Sequence, residues 1–238
     1  MLNTNKISIA VASILGAALI VSSLIVSRTV LKIKGYNQTI TVTGAAYQPI
    51  KSDFAVWEGI ISTSSADLEQ AYATVKKHLG FVTQFLAQQG YRENEYTLGT
   101  VELSRSYNRE RILTGYTLKQ KVKVESTDVD RITRLAKDAS SLIEKGVEFE
   151  SRPPRYLFTK LDAMKLEMIE RATSNARFRA ERLAESTGRN VGVPRSARIG
   201  VFQIRPLHSQ QVSDYGVNDV TSIDKEIAST VHVSFSFE

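Results

Sequence analysis

Residues 164–188 read MKLEMIERATSNARFRAERLAESTG. Met164, Met168, Ala172, Ala176, Ala180 and Ala184 recur every four positions, which places them on one row of an α-helix. An alanine row has no long side chain to hold a neighbouring backbone away, so this face predicts close packing against a sheet or a second helix. It is a packing device and not a catalytic one. Glu167, Arg171, Arg177, Glu181, Glu185 and Arg189 take the other faces, where Glu167 and Arg171 have i, i+4 ion-pair spacing. The helix is expected over residues 160–187, capped by Thr159 and stopped by Gly188.

Two more helices lie upstream. Ser65 is the expected cap of the first, whose Leu68, Ala71, Val75, Leu79, Val82, Phe85 and Leu86 form an apolar stripe ending at Gly90. Thr127 is the expected cap of the second, with Val129, Ile132, Leu135, Ala139 and Leu142 on one face and Gly146 as its stop. Between and around these helices the period changes to two. Residues 38–46 alternate as a half-buried strand, whereas residues 53–63 are apolar on both parities and predict an interior strand. Residues 97–107 and 113–125 read as a hairpin with a polar tip at 108–111, and Lys119, Lys121 and Lys123 form a row on its outer face. Pro153 and Pro154 confine the strand at 147–158 to an edge or split it. Strands at 197–207 and 227–237 flank a polar loop at 208–219. The order ββαββαβαββ predicts an α+β fold, a mainly antiparallel sheet packed with three helices. About 200 residues suffice for one domain or two small halves, and no low-complexity linker divides them.

Ahead of this domain, residues 7–27 carry no charge and are bounded by Lys6 and Arg28. A helix of that length rises about 31 Å, the thickness of a bilayer's hydrocarbon core. A cleavable signal peptide has a shorter apolar region, about 7–15 residues, ending in a small-x-small site. Ile25-Val26-Ser27 is a poor site, so an uncleaved membrane anchor is expected, with Ile7, Ile14, Gly16, Leu19 and Leu24 among its positions. The expected organisation is a tail at 1–6, the anchor at 7–27, a basic linker at 28–37 and the α+β domain at 38–238. Net charge is +6, and Lys6, Arg28, Lys32 and Lys34 are the charged side chains that precede residue 51, leaving 27 basic against 25 acidic groups. Basicity concentrated beside the anchor points to lipid headgroups as partner and not to nucleic acid. The flanking charges taken alone favour a cytoplasmic domain, although so short a tail also permits translocation of the C-terminal part.

Little in the remainder announces a reaction. The absence of cysteine excludes disulfides and thiol chemistry. His78, His208 and His232 have no metal-ligand spacing, and His78 is expected on the solvated side of its helix. Gly44-Ala45-Ala46 lacks the Lys-Ser/Thr of a phosphate loop, and Asp53 and Glu58 fall on opposite strand faces. No catalytic, cofactor-binding or metal-binding residue is expected. A small-ligand-binding or hydrolytic enzyme is the alternative, with its site among the Ser, His and Asp groups of the loop 208–219.

Several motifs resemble the SIMPL-domain proteins of bacterial envelopes. Ala172, Ala176-Arg177, Ala180, Ala184, Gly188 and Val191-Gly192 look like that family's signature helix and exit loop. Ile40-Thr41-Val42-Thr43-Gly44 resembles its opening strand, and Ser52-Asp53-Phe54-Ala55 its Pro-Asp-x-Ala turn, with serine in place of proline. Leu86 to Gly90, Tyr96-Thr97 and Gly115-Tyr116 follow in the same order. The resemblance covers residues 38–238. It implies an envelope protein, periplasmic or membrane-anchored, in a family with ring-forming members and links to stress tolerance, and it defines no catalytic residues. It also implies a domain outside the cytoplasmic membrane. A homo-oligomer is therefore expected. The last strand is its expected interface, because Val231, Val233, Phe235 and Phe237 make one apolar face and leave His232, Ser234 and Ser236 free to meet a neighbour at a sheet edge.

Overall fold

The computed structural model describes residues 4–36 and 39–237. The chain opens with α1 (Thr4–Tyr36), a helix of 33 residues and so about 50 Å long. Ile7, Ile14, Gly16, Leu19 and Leu24 all lie on it, and the side chains of Ile14, Leu19 and Leu24 are exposed. Over Ser13–Val30 it is long and apolar enough to cross a bilayer. The expected linker at 28–37 is helical as far as Tyr36, since no proline interrupts it and the Thr29 hydroxyl is satisfied by the Ile25 carbonyl at 2.8 Å. Residues 1–3 of the expected tail, with Asn37 and Gln38 ahead of the first strand, lie outside the described residues.

The remaining elements are β1 (Thr39–Lys51), β2 (Phe54–Ser65), α2 (Leu68–Gln88), β3 (Tyr96–Tyr107), β4 (Leu113–Ser126), α3 (Val129–Asp138) and α4 (Ser141–Glu144). After them come β5 (Phe149–Ser151), β6 (Arg155–Leu157), α5 (Leu161–Glu185), β7 (Val191–Ile199), β8 (Gln203–Pro206) and β9 (Asp224–Phe237). The fold is α+β with antiparallel sheets, but there are two sheets where the sequence predicted one. One has the order β1-β9-β7 with β8 also on β9; the other has the order β3-β4-β2-β5 with β6 also on β2. The backbone between β1 and β2 shows why they do not close into a hairpin. Ser52 donates its N–H to the Ile223 carbonyl at 2.9 Å and Asp53 donates to Leu157 at 3.0 Å, so both amides are spent on distant segments.

Helix boundaries moved for local reasons. Asp67 and not Ser65 caps α2, its carboxylate accepting the Gln70 N–H at 2.8 Å while Ser65 Oγ accepts the Asp67 N–H at 3.1 Å. Asp128 likewise displaces Thr127, accepting from Arg131 N–H at 2.9 Å. Thr159 caps nothing. Its N–H and hydroxyl both donate to the Asp53 carboxylate, at 2.7 and 2.8 Å. The second expected helix is broken into α3 and α4 where Ser140 and Ser141 turn their hydroxyls onto the Lys137 and Asp138 carbonyls. Gly90, Gly146 and Gly188 end their helices at positive φ as expected. Pro153-Pro154 splits its strand into β5 and β6, and the strand expected at 197–207 starts at Val191 and breaks between β7 and β8.

Two compact units divide the chain. The first comprises Met1–Ala46, Glu167–Gly200 and Ser229–Glu238, and the second Tyr47–Leu166 with Val201–Ala228. In the first unit Met168, Ala172, Ala176, Ala180 and Ala184 are all fully buried. A Cβ placed on Gly44 of β1 would fall on the Ala172 carbonyl oxygen and the Ala176 amide, so strand and helix backbones are in direct contact there. β9 pairs antiparallel with β7, and Thr41 with Ser234 and Thr43 with His232 mark an antiparallel register with β1. α5 also seals the outer edge of β1. Asn175 Oδ1 accepts the Ala45 N–H at 3.1 Å, and Arg179 donates to the Thr43 carbonyl at 3.0 Å. Asn175→Ala should expose that amide, lower stability by about 1 kcal/mol and speed hydrogen exchange at Ala45. Unchanged protection at Ala45 would show that the strand edge does not depend on the helix.

In the second unit β2 is the interior strand its two apolar parities predicted, flanked by β4 on one side and by β5 and β6 on the other. Trp57 is fully buried, packs on Phe149 at 6.0 Å between ring centroids and donates its indole N–H to Ser151 at 3.0 Å. α2 and α3 cover this face with Val82, Phe85, Leu86, Ile132 and Leu135. β8 pairs with residues 225–228 of β9.

Candidate functional site

The loop 208–219 does not assemble a reactive group. His208 and Asp214 are exposed and make no side-chain hydrogen bond or ion pair among the described residues. The loop is held by its own backbone to β8. Gln203 is the clamp, donating to the Ser213 carbonyl at 2.8 Å and accepting from Val217 N–H at 2.9 Å. Ile204 exchanges backbone hydrogen bonds with Val217 and Asp219. Among the described residues no group of three or more histidines and carboxylates comes together to hold a metal.

Polar chemistry is buried a few residues further on, at positions no motif marks. Lys225 is only 2 % exposed and donates its ammonium to the Tyr156 carbonyl at 2.7 Å and the Asp219 carbonyl at 2.5 Å. Burial lowers the Lys225 pKa from its ordinary value, opposed by the charge of Asp219. Burial also pushes the Asp219 carboxyl up, but hydrogen bonds from Thr221 and Ser222 and the Lys225 charge outweigh it and hold it below the usual range. Asp219 Oδ1 accepts from the Thr221 N–H and hydroxyl at 2.8 and 2.7 Å, while its buried Oδ2 has no partner. This cluster ties together β6, β9 and the segment between them, and it is structural in its geometry: the amine meets carbonyl oxygens and is closed off from solvent. Position 225 lies ahead of the strand expected at 227–237 and reads there only as one more polar residue, so its burial is not legible in the sequence.

The other expected positions are distributed as follows. His78 is half-buried and not fully solvated; burial lowers its pKa first, then the Lys77 charge, against an opposing effect of Glu148. The lysine row is partly neutralised, since Lys121 pairs with Glu58 at 3.8 Å and Lys123 with Glu125 at 2.6 Å, while Lys119 stands opposite Glu102 in register. Glu58 also meets Arg152 at 3.7 Å, whereas Asp53 binds Thr159, so these two carboxylates serve separate places. The edge position expected for β9, and the free Ser236, need correction. β9 lies between β1 and β7 and is not an edge, and Ser236 is buried with its hydroxyl on the Val193 carbonyl at 3.2 Å. His232 remains exposed and Ser234 half-buried, both already bonded sideways to β1.

The strand edges differ in how they are finished. β1 is sealed by Asn175 and Arg179, β7 carries Pro194 with two register shifts, and β5 and β6 are three residues each beside Pro153-Pro154. β3 is neither sealed by a helix side chain nor broken by proline, although its pairing with β4 also shifts register twice, between Leu98 and Val101 and between Ser106 and Tyr107. It is a 12-residue end strand, exposed along most of its length, and lacks proline. Leu103 and Val101 of this strand, with Leu68, Tyr72 and Ala73 of α2, line an apolar groove beside it.

Two of the quoted motifs meet within the first unit, Gly44 of β1 seating on Ala172 and Ala176 of α5, and the Asp53 turn is fixed within the second by Thr159. The SIMPL family profile, described as "Protein of unknown function (DUF541)", matches residues 40–237. The chain belongs to the SIMPL family. Within this SIMPL domain, the serine that replaces the turn's proline is buried and gives its hydroxyl to the Ser222 carbonyl at 3.4 Å, so the departure is accommodated by a bond that proline lacks. No curated protein matches the sequence. Two solved structures show weak likeness. The de novo designed protein Foldit4 is 19% identical, with a TM-score of 0.23 over 42% of this chain and 93% of its own. A putative amidohydrolase/peptidase from Burkholderia cenocepacia is 11% identical, with a TM-score of 0.22 over 50% of this chain and 30% of its own. At those scores neither bears on the function of the SIMPL domain.

Proposed function

We propose that this SIMPL protein is a non-enzymatic component of the bacterial envelope, anchored in the cytoplasmic membrane by α1. Its domain lies on the periplasmic side, and copies associate into a ring or scaffold that serves envelope or oxidative stress tolerance. Support for the anchor comes from the apolar side chains of Ser13–Val30, none of which is buried among the described residues. The observation that carries self-association is β3, a 12-residue end strand without proline, exposed along most of its length, when the other end strands are sealed by a helix, carry proline or are very short. Exposed edges pair with other strands, and the apolar groove beside this one offers side-chain burial to go with the backbone bonds. A second copy of the chain is the partner proposed for it. The interface therefore moves from β9 to β3 and its hairpin, whose Tyr107, Ile112 and Leu113 are also exposed.

Mass photometry of the full chain in neutral detergent tests this reading. The wild type should populate multiples of 26.5 kDa, and Leu103→Lys combined with Tyr72→Lys should shift the distribution to single chains with unchanged circular dichroism. Both side chains are exposed, so the fold tolerates the change. A wild type that is monomeric at micromolar concentration, or a double variant that assembles normally, would overturn the assignment.

A further inference from the structure

The outer face of the β1-β9-β7 sheet carries an arrangement that self-association does not explain. Two rows of polar side chains cross its three strands. Thr41 Oγ1 meets Ser234 Oγ at 2.7 Å, and Ser234 stands opposite Ser196 in the β9–β7 register. Next to it, Thr43 Oγ1 meets His232 Nδ1 at 2.8 Å, and His232 stands opposite Arg198. Residues directly opposite in an antiparallel pair share a face, so the rows are hydroxyl–hydroxyl–hydroxyl and hydroxyl–imidazole–guanidinium. Thr41, Ser196, Arg198, His232 and Ser234 line a shallow open depression of about 510 Å³.

The strand stretches that form this face carry basic groups and no carboxylate. Residues 39–46, 191–199 and 229–237 contain Arg195, Arg198 and His232 and not one aspartate or glutamate. Arg198 makes no hydrogen bond or ion pair among the described residues. The outer face of the second unit's sheet is the useful contrast, because Lys121 and Arg152 share Glu58 and Lys123 has Glu125. There a solvated face is finished with carboxylates; here the guanidinium is left open among hydroxyls. When Thr43 donates to His232 Nδ1, the ring proton sits on Nε2 and adds an N–H donor to the set.

We propose that this face binds a phosphate group, a phosphomonoester or phosphodiester, through Arg198 with His232 and the flanking hydroxyls. A guanidinium presents two parallel N–H donors that match two phosphate oxygens, and hydroxyl donors suit the others. Residues 39–46, 191–199 and 229–237 hold no acidic side chain to repel the anion. β1 follows α1 after two residues of sequence, so a lipid headgroup is one source of that phosphate and a free phosphate compound is the other. The site is independent of self-association through β3.

The test is carbethoxylation of histidine by diethylpyrocarbonate, read peptide by peptide by mass spectrometry on the full chain. One arm uses neutral detergent with inorganic phosphate against chloride at equal ionic strength. The other uses nanodiscs of phosphatidylcholine alone or with added phosphatidylglycerol. Modification of His232 should slow several-fold in at least one arm while exposed His208 is unaffected, and Arg198→Gln should abolish the protection. Protection by inorganic phosphate assigns a free phosphate ligand; protection by the anionic nanodisc alone assigns a lipid headgroup. Equal rates at His232 in both arms, or undiminished protection in Arg198→Gln, would overturn the proposal. Repeating the measurement on the Leu103→Lys, Tyr72→Lys variant separates the outcome from that of assembly, because the anion site should survive in single chains.

Discussion

Gly44→Val should be the most damaging single substitution of a small residue in the first unit, destabilising by at least about 3 kcal/mol. Its first added atom lands on the Ala172 carbonyl oxygen and the Ala176 amide, which are backbone and have no rotamer to escape into. α5 must then lift from β1, which also breaks the Asn175 and Arg179 bonds that seal the strand edge. At roughly 2–4 °C per kcal/mol for a chain of this size, the melting temperature should fall by roughly 6–12 °C. Ala176→Leu and Ala180→Leu act on the other side of the buried surface and should each cost about 1–3 kcal/mol by overpacking. Gly80→Ala is the control, since nothing lies within 4 Å of its added atom in α2. That substitution should be neutral or stabilising by up to about 1 kcal/mol, because alanine is the better helix former. If Gly44→Val melted with the wild type, the direct seat of helix on strand would be wrong.

Lys225→Met should have the second largest effect, on the order of 2–4 kcal/mol. Methionine fills the space but donates nothing, so the Tyr156 and Asp219 carbonyls lose their partner and the Asp219 carboxylate loses its nearby cation. The pH dependence separates this from simple loss of packing. Asp219 titrates below its ordinary value of 3.8 in the fold. Its contribution is therefore present above that value and is lost as pH falls through the lower folded value. Lys225 also titrates below its ordinary value, 10.5. Between the folded value and 10.5 the unfolded chain binds more protons, so the Lys225 contribution to stability rises with pH across that window. Tyr91 and Tyr96 titrate above their ordinary value in both proteins and pull stability down at alkaline pH. Urea unfolding across pH 3–11 should therefore show the Lys225 contribution as a wild-type-minus-variant difference that rises with pH across that window. A variant of wild-type stability, or one with the same alkaline slope, would remove the ammonium from its assigned place.

Much of each element was legible in the sequence because periodicity records the two faces of a helix or strand. The alanine row from Ala172 to Ala184 is buried as its spacing said, β2 is interior as its two apolar parities said, and Gly90, Gly146 and Gly188 stop helices at positive φ. The apolar run became a continuous helix, and the hairpin of β3 and β4 lies where alternation put it. Family membership was legible too, because its motifs are local strings.

What the sequence by itself determined is thus the type of each element, the face it buries and the family it belongs to. Only the tertiary structure decided which strands lie side by side. Backbone hydrogen bonds between strands are the same for every residue type, so nothing in residues 227–237 announces that β9 has a neighbour on each side and offers no edge. The same holds for Asp53 taking Thr159 from its helix, and for Lys225 finding carbonyl partners 69 and 6 residues away. Each is a meeting of groups distant in the chain, fixed by the need to satisfy polar atoms removed from water, and that need acts only once the chain has folded.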